Sequence, residues 1–163
     1  MVDYWLDSNS LITPKKGPYG FDIAPGFWTL LEQKASEGVI RSPRSVYYEL
    51  VDMTDDDLAD WAKERKEGEL FVEPDEAVQG TFRTIADYVQ DNYDESNARH
   101  FLDGADPWVI AHAKTRGGEV VTFEVRAPNS RKVKIPDVCD RFGLECTDTY
   151  KMVRSLGASL ELR

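Results

Sequence analysis

Four acidic residues stand in the sequence where a fold could gather their carboxylates around a metal ion. Asp7 and Glu124 each follow a short apolar run, whereas Glu49 and Asp106 belong to segments with helical patterns. Carboxylate oxygens suit Mg²⁺ or Mn²⁺, and these ions organise much phosphate chemistry. Brought to one place, four carboxylates would repel one another strongly unless they held cations.

The two apolar runs predict strands of one sheet. Residues 2 to 6 hold four large apolar side chains, which favours a strand buried on both faces, and residues 119 to 123 follow Gly117-Gly118. The helical segments between these strands predict crossover connections and a mainly parallel α/β sheet. If the two strands are parallel neighbours, Asp7 and Glu124 leave the sheet at its carboxyl edge, where ligands bind in such folds.

Two proline dipeptides predict the helices that carry the other two acids. Asp106-Pro107 is a helix start, and the helix would bring Asp106 near the strand ends; alternatively, Asp106 is only the capping residue. Ser42-Pro43 is a similar start for a helix that runs to about Met53. Glu49 borders the apolar stripe of that helix, which leaves open an ordinary exposed glutamate.

Two segments predict loops, and two groups of cations are candidates for contacts with substrate. The breakers between Pro14 and Pro25 predict a loop after the first strand, and the polar stretch from Asp91 to Asp103 predicts another. Cations in the first loop, and those in the basic stretch 125 to 136, are placed to contact phosphates. Solvated loops are the alternative. The candidate substrate-binding residues are Lys15, Lys16, Arg126, Arg131 and Lys132.

Length and composition predict one globular domain over residues 1–163, with a helical insertion around 54–105. The net charge of −10 argues against indiscriminate nucleic-acid binding, but bound cations would offset it in a nucleic-acid enzyme. With only two cysteines, no basic leader and no long apolar segment, a cytoplasmic protein is expected. The two histidines lack the spacing of a zinc site.

Several segments together resemble the PIN-domain nucleases. Asp7-Ser8-Asn9-Ser10-Leu11-Ile12 is similar to the opening motif of that family, in which an aspartate precedes a small hydroxyl residue, Asn or Ser, and aliphatic residues. Ala105-Asp106-Pro107-Trp108-Val109-Ile110-Ala111 resembles its aspartate-led helix, and Val120-Val121-Thr122-Phe123-Glu124 resembles its late strand that ends in Thr-x-acid. Glu49 matches the helix glutamate of the family in order and setting.

The resemblance implies a three-layer α/β/α PIN-like domain and a divalent-metal-dependent endoribonuclease. One Mg²⁺ or Mn²⁺ ion would position or deprotonate an attacking water, and a second would stabilise the leaving oxygen of an RNA phosphodiester. Glu124 stands where aspartate is commoner in the family, so Asp103 is an alternative ligand. The implied catalytic metal ligands are Asp7, Glu49, Asp106 and Glu124, and the residues that orient them are Asn9, Ser10 and Thr122.

Small stand-alone PIN proteins resemble the VapC-type toxins of bacterial or archaeal toxin–antitoxin pairs. The resemblance therefore implies an RNA substrate and a cognate antitoxin protein as partner, and it leaves a homodimer open. Segment 54–105 is long beside the compact toxins.

Three other functions are alternatives to the nuclease. A phosphatase of the haloacid dehalogenase-like family would use Asp7 as nucleophile, but Asn9 stands where the Asp-x-Asp motif of that family has its second aspartate. A non-catalytic PIN-like module that binds RNA or protein is the alternative kept, and it predicts that Asp7→Asn leaves the cellular activity unchanged. A dinucleotide-binding fold is not expected because no GxGxxG follows the first strand.

Overall fold

The computed structural model describes residues 2–53 and 56–161 of the chain. Strands and helices alternate along much of this chain. In order they are β1 (Tyr4–Leu6), α1 (Asn9–Lys16), α2 (Pro25–Ser36), β2 (Ile40–Pro43), α3 (Arg44–Met53), α4 (Asp57–Glu64), β3 (Phe71–Val72), α5 (Glu76–Asn92), α6 (Glu95–Asp103), α7 (Asp106–Arg116), β4 (Glu119–Val121), α8 (Ile135–Arg141), β5 (Cys146–Thr147) and α9 (Thr149–Ser155).

The strands form one parallel sheet in the order β3-β2-β1-β4-β5, flanked by helices. This arrangement confirms the predicted α/β fold. Strand β1 lies at the centre and its three residues are buried, as expected for a strand covered on both faces. It pairs with β4 in the register Leu6 to Val121, so the two predicted strands are neighbours that end at the same edge.

A glycine permits the close approach of β1 and β4. Gly118 has a φ of +105°, and a Cβ at this position would lie 2.9 Å from the Val2 carbonyl oxygen and 3.0 Å from that of Asp3. Only glycine tolerates both the backbone conformation and this contact without strain. The Gly117-Gly118 turn therefore sets where β4 begins to pair.

The predicted loop after β1 is wrong in its first part, because residues 9 to 16 form helix α1 with Pro14 inside it. Proline has no N–H for the carbonyl four residues earlier, which belongs to Ser10. That carbonyl instead accepts a hydrogen bond of 2.8 Å from the buried Thr149 hydroxyl at the start of α9. A distant residue thus supplies the donor that the proline lacks.

The predicted loop between Asp91 and Asp103 is also wrong. The end of α5 and the whole of α6 occupy it. Asp94 caps α6 by accepting from the Asn97 N–H, and Ala98 and Phe101 bury one face of the helix at a spacing of three. A cap and a narrow apolar stripe suffice here because α6 packs on α5 and α7.

Helix α3 begins one residue later than the Ser42-Pro43 signal predicts. Both residues belong to β2, and the Ser42 hydroxyl donates 2.7 Å to the Leu6 carbonyl oxygen at the end of β1. Ser42 is fully buried, and its hydroxyl is paired with the end of β1 instead of capping the helix.

The segment 54–105, predicted as a helical insertion, contributes strand β3 to the edge of the sheet and helices α4, α5 and α6 to its surroundings. Thr54 and Asp55, where the predicted insertion begins, lie outside the described residues. No helix of residues 2–53 and 56–161 is both long and apolar enough to cross a bilayer.

Candidate functional site

Two of the predicted acids follow adjacent strand ends. Asp7 comes directly after β1, and Glu124 lies three residues beyond the end of β4. The parallel register pairs Leu6 with Val121, and the Asp7 N–H donates 3.1 Å to the Val121 carbonyl oxygen. The chain therefore leaves both strands at the same edge of the sheet, as predicted.

Asp7 is almost completely buried, with 3% of its surface exposed. Its Oδ1 atom accepts hydrogen bonds from the Ser10 N–H at 2.8 Å and from the Ser10 hydroxyl at 2.6 Å. Burial raises the pKa of Asp7 to about 6, although hydrogen bonds from the side chains of Ser10 and Thr122 oppose that rise. Two of the predicted orienting residues thus contact the carboxylate that they were expected to hold.

Glu49 connects α3 to the start of α7. Its Oε1 atom accepts 2.6 Å from the Ala105 N–H, and its Oε2 atom accepts 3.1 Å from the Ser8 hydroxyl. Glu49, which was predicted to border the apolar stripe of its helix, therefore contacts the residue that precedes Asp106. An ordinary exposed glutamate does not describe this side chain.

Asp106 is the first residue of α7, and the capping position belongs to Ala105, whose side chain cannot cap. Capping therefore does not explain the Asp106 carboxylate. Burial first, and then the negative charges of Asp7, Glu124 and Glu49, raise the pKa of Asp106 to about 8; Lys134 opposes them. The charges of the other three predicted acids thus all act on Asp106.

Glu124 is held through both its side chain and its backbone N–H. Its Oε1 atom accepts 2.8 Å from the Ile135 N–H at the first residue of α8, and its own N–H donates 3.1 Å to the Thr122 hydroxyl. The same hydroxyl serves Asp7. Thr122 therefore joins the ends of the two carboxylate-bearing segments.

A cleft of about 720 Å³ brings most of these groups to one surface. We call it the carboxylate cleft. Asn9, Ser45, Tyr48 and Trp108 also line it, without a hydrogen bond that ties them to the acids. Its acidic lining includes the alternative ligand Asp103 together with Glu49, Asp106 and Glu124, whereas Asp7 is buried behind this surface.

The predicted cations divide into one that reaches the cleft and four that do not. Lys132 lines it, and so does Lys134 of the same basic stretch. Lys15 instead pairs with Asp56 at 2.6 Å and Asp57 at 2.9 Å. The remaining three lie outside the cleft lining: Arg126 pairs with Asp140, and Lys16 and Arg131 are exposed.

The cleft also contains residues that the sequence reasoning did not single out. Ser8 stands between Asp7 and Asn9 in the quoted motif, and its position beside the first acid was a usable signal. Lys134 was part of the recognised basic stretch. Trp108 lies in the quoted helix segment that begins at Ala105, and Tyr48 carried no signal.

The acids fit a hard divalent cation by their chemistry. Such an ion would relieve the mutual repulsion among these carboxylates, and each available ligand atom is an oxygen. Among the described residues, however, no three His, Cys, Asp or Glu side chains are grouped so that they could hold one ion as they stand. Hydrogen bonds direct one oxygen of Glu49 to Ala105 and one of Glu124 to Ile135.

Comparison with known proteins supports the fold. A family model described as a domain of unknown function (DUF4411) matches residues 4–160. None of the curated proteins matches the chain. A chain in the crystal structure of VapBC2 from Rickettsia felis, bound to a DNA fragment from their promoter, is 15% identical with a TM-score of 0.53; the match covers 91% of this chain and 98% of that one. This likeness confirms the predicted PIN-like, VapC-type fold.

Proposed function

The chain belongs to the DUF4411 family and has a PIN-like fold, and on this basis we propose that it is a divalent-metal-dependent endoribonuclease that hydrolyses RNA phosphodiester bonds. The observation that carries the proposal is the gathering of Glu49, Asp106 and Glu124 on one cleft, with Asp7 buried at the adjacent strand end. The raised pKa of Asp106 agrees with this arrangement. A cluster of this kind is costly for folding and is typical of a site that works with a cation.

Asp7, Glu49, Asp106 and Glu124 would hold Mg²⁺ or Mn²⁺, with Asp103 as the alternative ligand. When bound, such ions supply an activated water and neutralise the charge that develops on the leaving oxygen. Neighbouring groups of the protein hold the metal ligands in place. Ser10 and Thr122 orient Asp7, and Ser8 and the Ala105 N–H orient Glu49.

The substrate side of the cleft is formed by two lysines. Lys132 and Lys134 line the same cleft as the acids in a protein whose net charge is −10. We expect them to bind the phosphates on either side of the scissile bond, because nonspecific affinity for RNA comes mainly from such contacts. Lys15 and Arg126 are engaged with Asp56 and Asp140, so we expect a smaller contribution from them.

We propose further that the protein is the toxin of a toxin–antitoxin pair and that its partner is a cognate antitoxin, with a homodimer as a further expectation. The support is the likeness of fold to a chain of the Rickettsia felis VapBC2 structure. Co-expression with the product of the neighbouring gene should relieve growth arrest by the wild type. Growth arrest that Asp7→Asn leaves intact would contradict a nuclease toxin.

The decisive experiment titrates Mn²⁺ into the wild type and into Asp7→Asn, Glu49→Gln, Asp106→Asn and Glu124→Gln, and assays RNA cleavage on the same samples. We expect each variant to lose metal affinity and at least about 100-fold in cleavage rate, since residues that only orient metal ligands already cost 10- to 100-fold. Glu95→Gln changes an exposed carboxylate outside the cleft and should retain both properties.

A non-catalytic PIN-like module that binds RNA or protein is the second candidate. The absence of a ready group of three ligands among the described residues favours it. It predicts that the wild type binds no divalent ion in the millimolar range and cuts no RNA, while RNA or a protein still binds.

A further inference from the structure

A second, smaller cavity of about 210 Å³ adjoins the carboxylate cleft. Ser45, Tyr48 and Trp108 line both spaces, so a chain bound in the cleft passes directly beside the smaller cavity. The other walls come from the end of β2 and the start of α3, from the segment after β3, and from His112 of α7.

Three buried polar atoms in these walls have no hydrogen-bond partner among the described residues. They are Arg44 Nε, Ser45 Oγ and His112 Nε2. Only 1% of the His112 surface is exposed. Buried polar side chains are nearly always paired, and an unpaired one costs about 1–3 kcal/mol. All three atoms belong to residues that line one cavity, although the atoms themselves lie just beneath its surface. A polar ligand in this cavity could supply the missing partners after small rotations of these side chains.

Apart from Glu73, the remaining walls come from prolines and aromatic residues. They include Pro43 and Pro74, the Tyr48 ring and the Trp108 ring. Trp108 is held by Phe82, on which it stacks with ring centroids 4.0 Å apart. A largely apolar concavity with a few polar groups is the usual form of a small-molecule site, and this one is smaller than the 300–1,000 Å³ or so of a drug-sized pocket.

The charges of the cavity disfavour an anion. Arg44 faces Glu73, with Nη1 and Oε1 3.7 Å apart, so the two formal charges offset each other. Burial lowers the pKa of His112 to about 4, and the imidazole is therefore neutral at pH 7. A neutral imidazole and a serine hydroxyl each donate or accept, whereas Arg44 Nε only donates. This mixture matches the edge of a planar heterocycle, which presents donors and acceptors side by side.

We propose that this cavity, lined by Arg44, Ser45, Tyr48, Trp108 and His112, binds one unpaired nucleobase of the RNA and so sets base preference next to the cleaved bond. We call it the base cavity. The proposal rests on the ribonuclease function proposed above. Proteins commonly read single-stranded RNA by stacking a splayed base on an aromatic ring and hydrogen bonding to its edge. Arg44, Ser45 and His112 are the hydrogen-bonding groups, and Tyr48 and Trp108 form the apolar walls.

The first test measures binding without metal and without cleavage. Adenosine, guanosine, cytidine, uridine and inorganic phosphate are titrated separately into the full-length Asp7→Asn protein, followed by backbone amide shifts in NMR. We expect one nucleoside to shift residues 44–48 and 108–112, and phosphate to leave them unchanged. Binding of phosphate at these residues, or of no nucleoside, would overturn the base cavity.

Matched serine variants locate the contact. Ser45→Ala should weaken nucleoside binding about three- to tenfold, the loss of one hydrogen bond. Ser159→Ala, which changes an exposed serine of the C-terminal segment, should leave it unchanged. Ser45→Ala removes an atom without a partner, so the variant should fold, which its thermal midpoint checks. An equal effect of the two variants would contradict the assignment.

The second test assigns the role in cleavage and separates the two proposals. Wild type and Ser45→Ala cut a randomised RNA pool with Mn²⁺, and sequencing gives the base frequencies at each position around the cut. We expect one position to lose its preference in Ser45→Ala. Metal-dependent cleavage with no nucleoside binding would overturn the base cavity alone. Nucleoside binding without any cleavage would overturn the ribonuclease function and, with it, a role of the cavity in choosing the cut.

Discussion

The carboxylate cleft and the base cavity share part of their walls, but their polar groups are satisfied in opposite ways. In the cleft, Asp7, Glu49 and Glu124 each accept a hydrogen bond from a backbone N–H. In the cavity, Arg44 Nε and His112 Nε2 are buried without a partner among the described residues. The acids are therefore positioned before anything binds, whereas the cavity leaves its hydrogen-bonding capacity to a ligand.

The two regions should also respond to pH in opposite directions. Raised carboxylate pKa values in the cleft mean that the folded protein holds protons more tightly than the unfolded chain does. The pKa of His112 in the cavity is lowered, so the folded protein holds this proton less tightly than the unfolded chain does. The following experiments test this contrast.

The largest effect on stability should come from His112 in acid. The pKa of this residue is lowered to about 4 in the folded state, so its contribution is complete above the unfolded pKa of about 6.5 and is lost as the pH falls toward 4. At about 1.4 kcal/mol per pH unit, the loss reaches about 3 kcal/mol. Urea unfolding of the wild type and His112→Gln over this range measures it. A difference between the two proteins that does not change with pH would contradict the contrast.

Asp106 should destabilise the metal-free protein as the pH rises. Its folded pKa of about 8 lies above the unfolded value of about 3.9, so its contribution falls until the pH passes 8. Between pH 6.5 and 8, where His112 and Asp7 have largely finished titrating, we expect a loss of up to about 2 kcal/mol. Asp106→Asn should abolish this loss, and Mn²⁺ should reduce it in the wild type. Equal slopes for the wild type and Asp106→Asn would refute the predicted coupling.

Two serines compare a paired and an unpaired hydroxyl directly. The Ser10 hydroxyl is fully buried, 2.6 Å from Asp7 Oδ1 and 2.8 Å from the Val121 carbonyl oxygen. Ser10→Ala should cost about 1–3 kcal/mol of unfolding free energy and 10- to 100-fold in cleavage rate. Ser45→Ala should not lower the unfolding free energy and should raise it by up to about 1–3 kcal/mol, because it removes a buried hydroxyl that has no described partner. Denaturant unfolding compares the two variants, and a larger loss for Ser45→Ala would reverse the proposed contrast.

Among the serines that hold the acids, Ser8 should have the smaller effect. Its hydroxyl donates 3.1 Å to Glu49 Oε2, while the Ala105 N–H still holds Oε1. Ser8→Ala should therefore lower the unfolding free energy by about 1 kcal/mol. It should also lower the cleavage rate by less than Ser10→Ala does. Parallel unfolding and cleavage assays of the two variants decide this order. A greater loss of activity for Ser8→Ala would mean that the Ser8 hydroxyl, rather than the Ala105 N–H, positions Glu49.

The central strands and the order of the acids were predictable because their signals are local. An apolar run that stops at an acid indicates a buried strand end, and both runs form strands that end at the predicted sheet edge. The second strand is shorter than predicted, because β4 ends at Val121 and not at residue 123. Helix α1 was not predictable in this way, because Pro14 is tolerated there through the Thr149 hydroxyl, which lies far along the chain. The segment 91–103 was wrongly predicted to be a loop, because the buried residues of α6 are Ala98 and Phe101, too few for a clear helical pattern.

The electrostatics of the cleft could be predicted only in outline. The sequence indicates that carboxylates converge, but the pKa of Asp106 depends on burial and on side chains from three other segments. The base cavity left no recognisable signal. Arg44 and Ser45 begin α3 and His112 lies within α7, and no spacing along the chain joins them.

By itself, the sequence determined the chemical groups, their order and the periodicity of the main elements, because these depend on neighbours a few residues away. It thereby determined a parallel α/β domain with acids after two strands, at one helix start and within another helix. Only the tertiary structure decided which acids are buried together, which cations are already paired, and which polar atoms have no partner. These properties depend on contacts between residues distant in the chain, whose strength is set by solvent exclusion and geometry rather than by residue type.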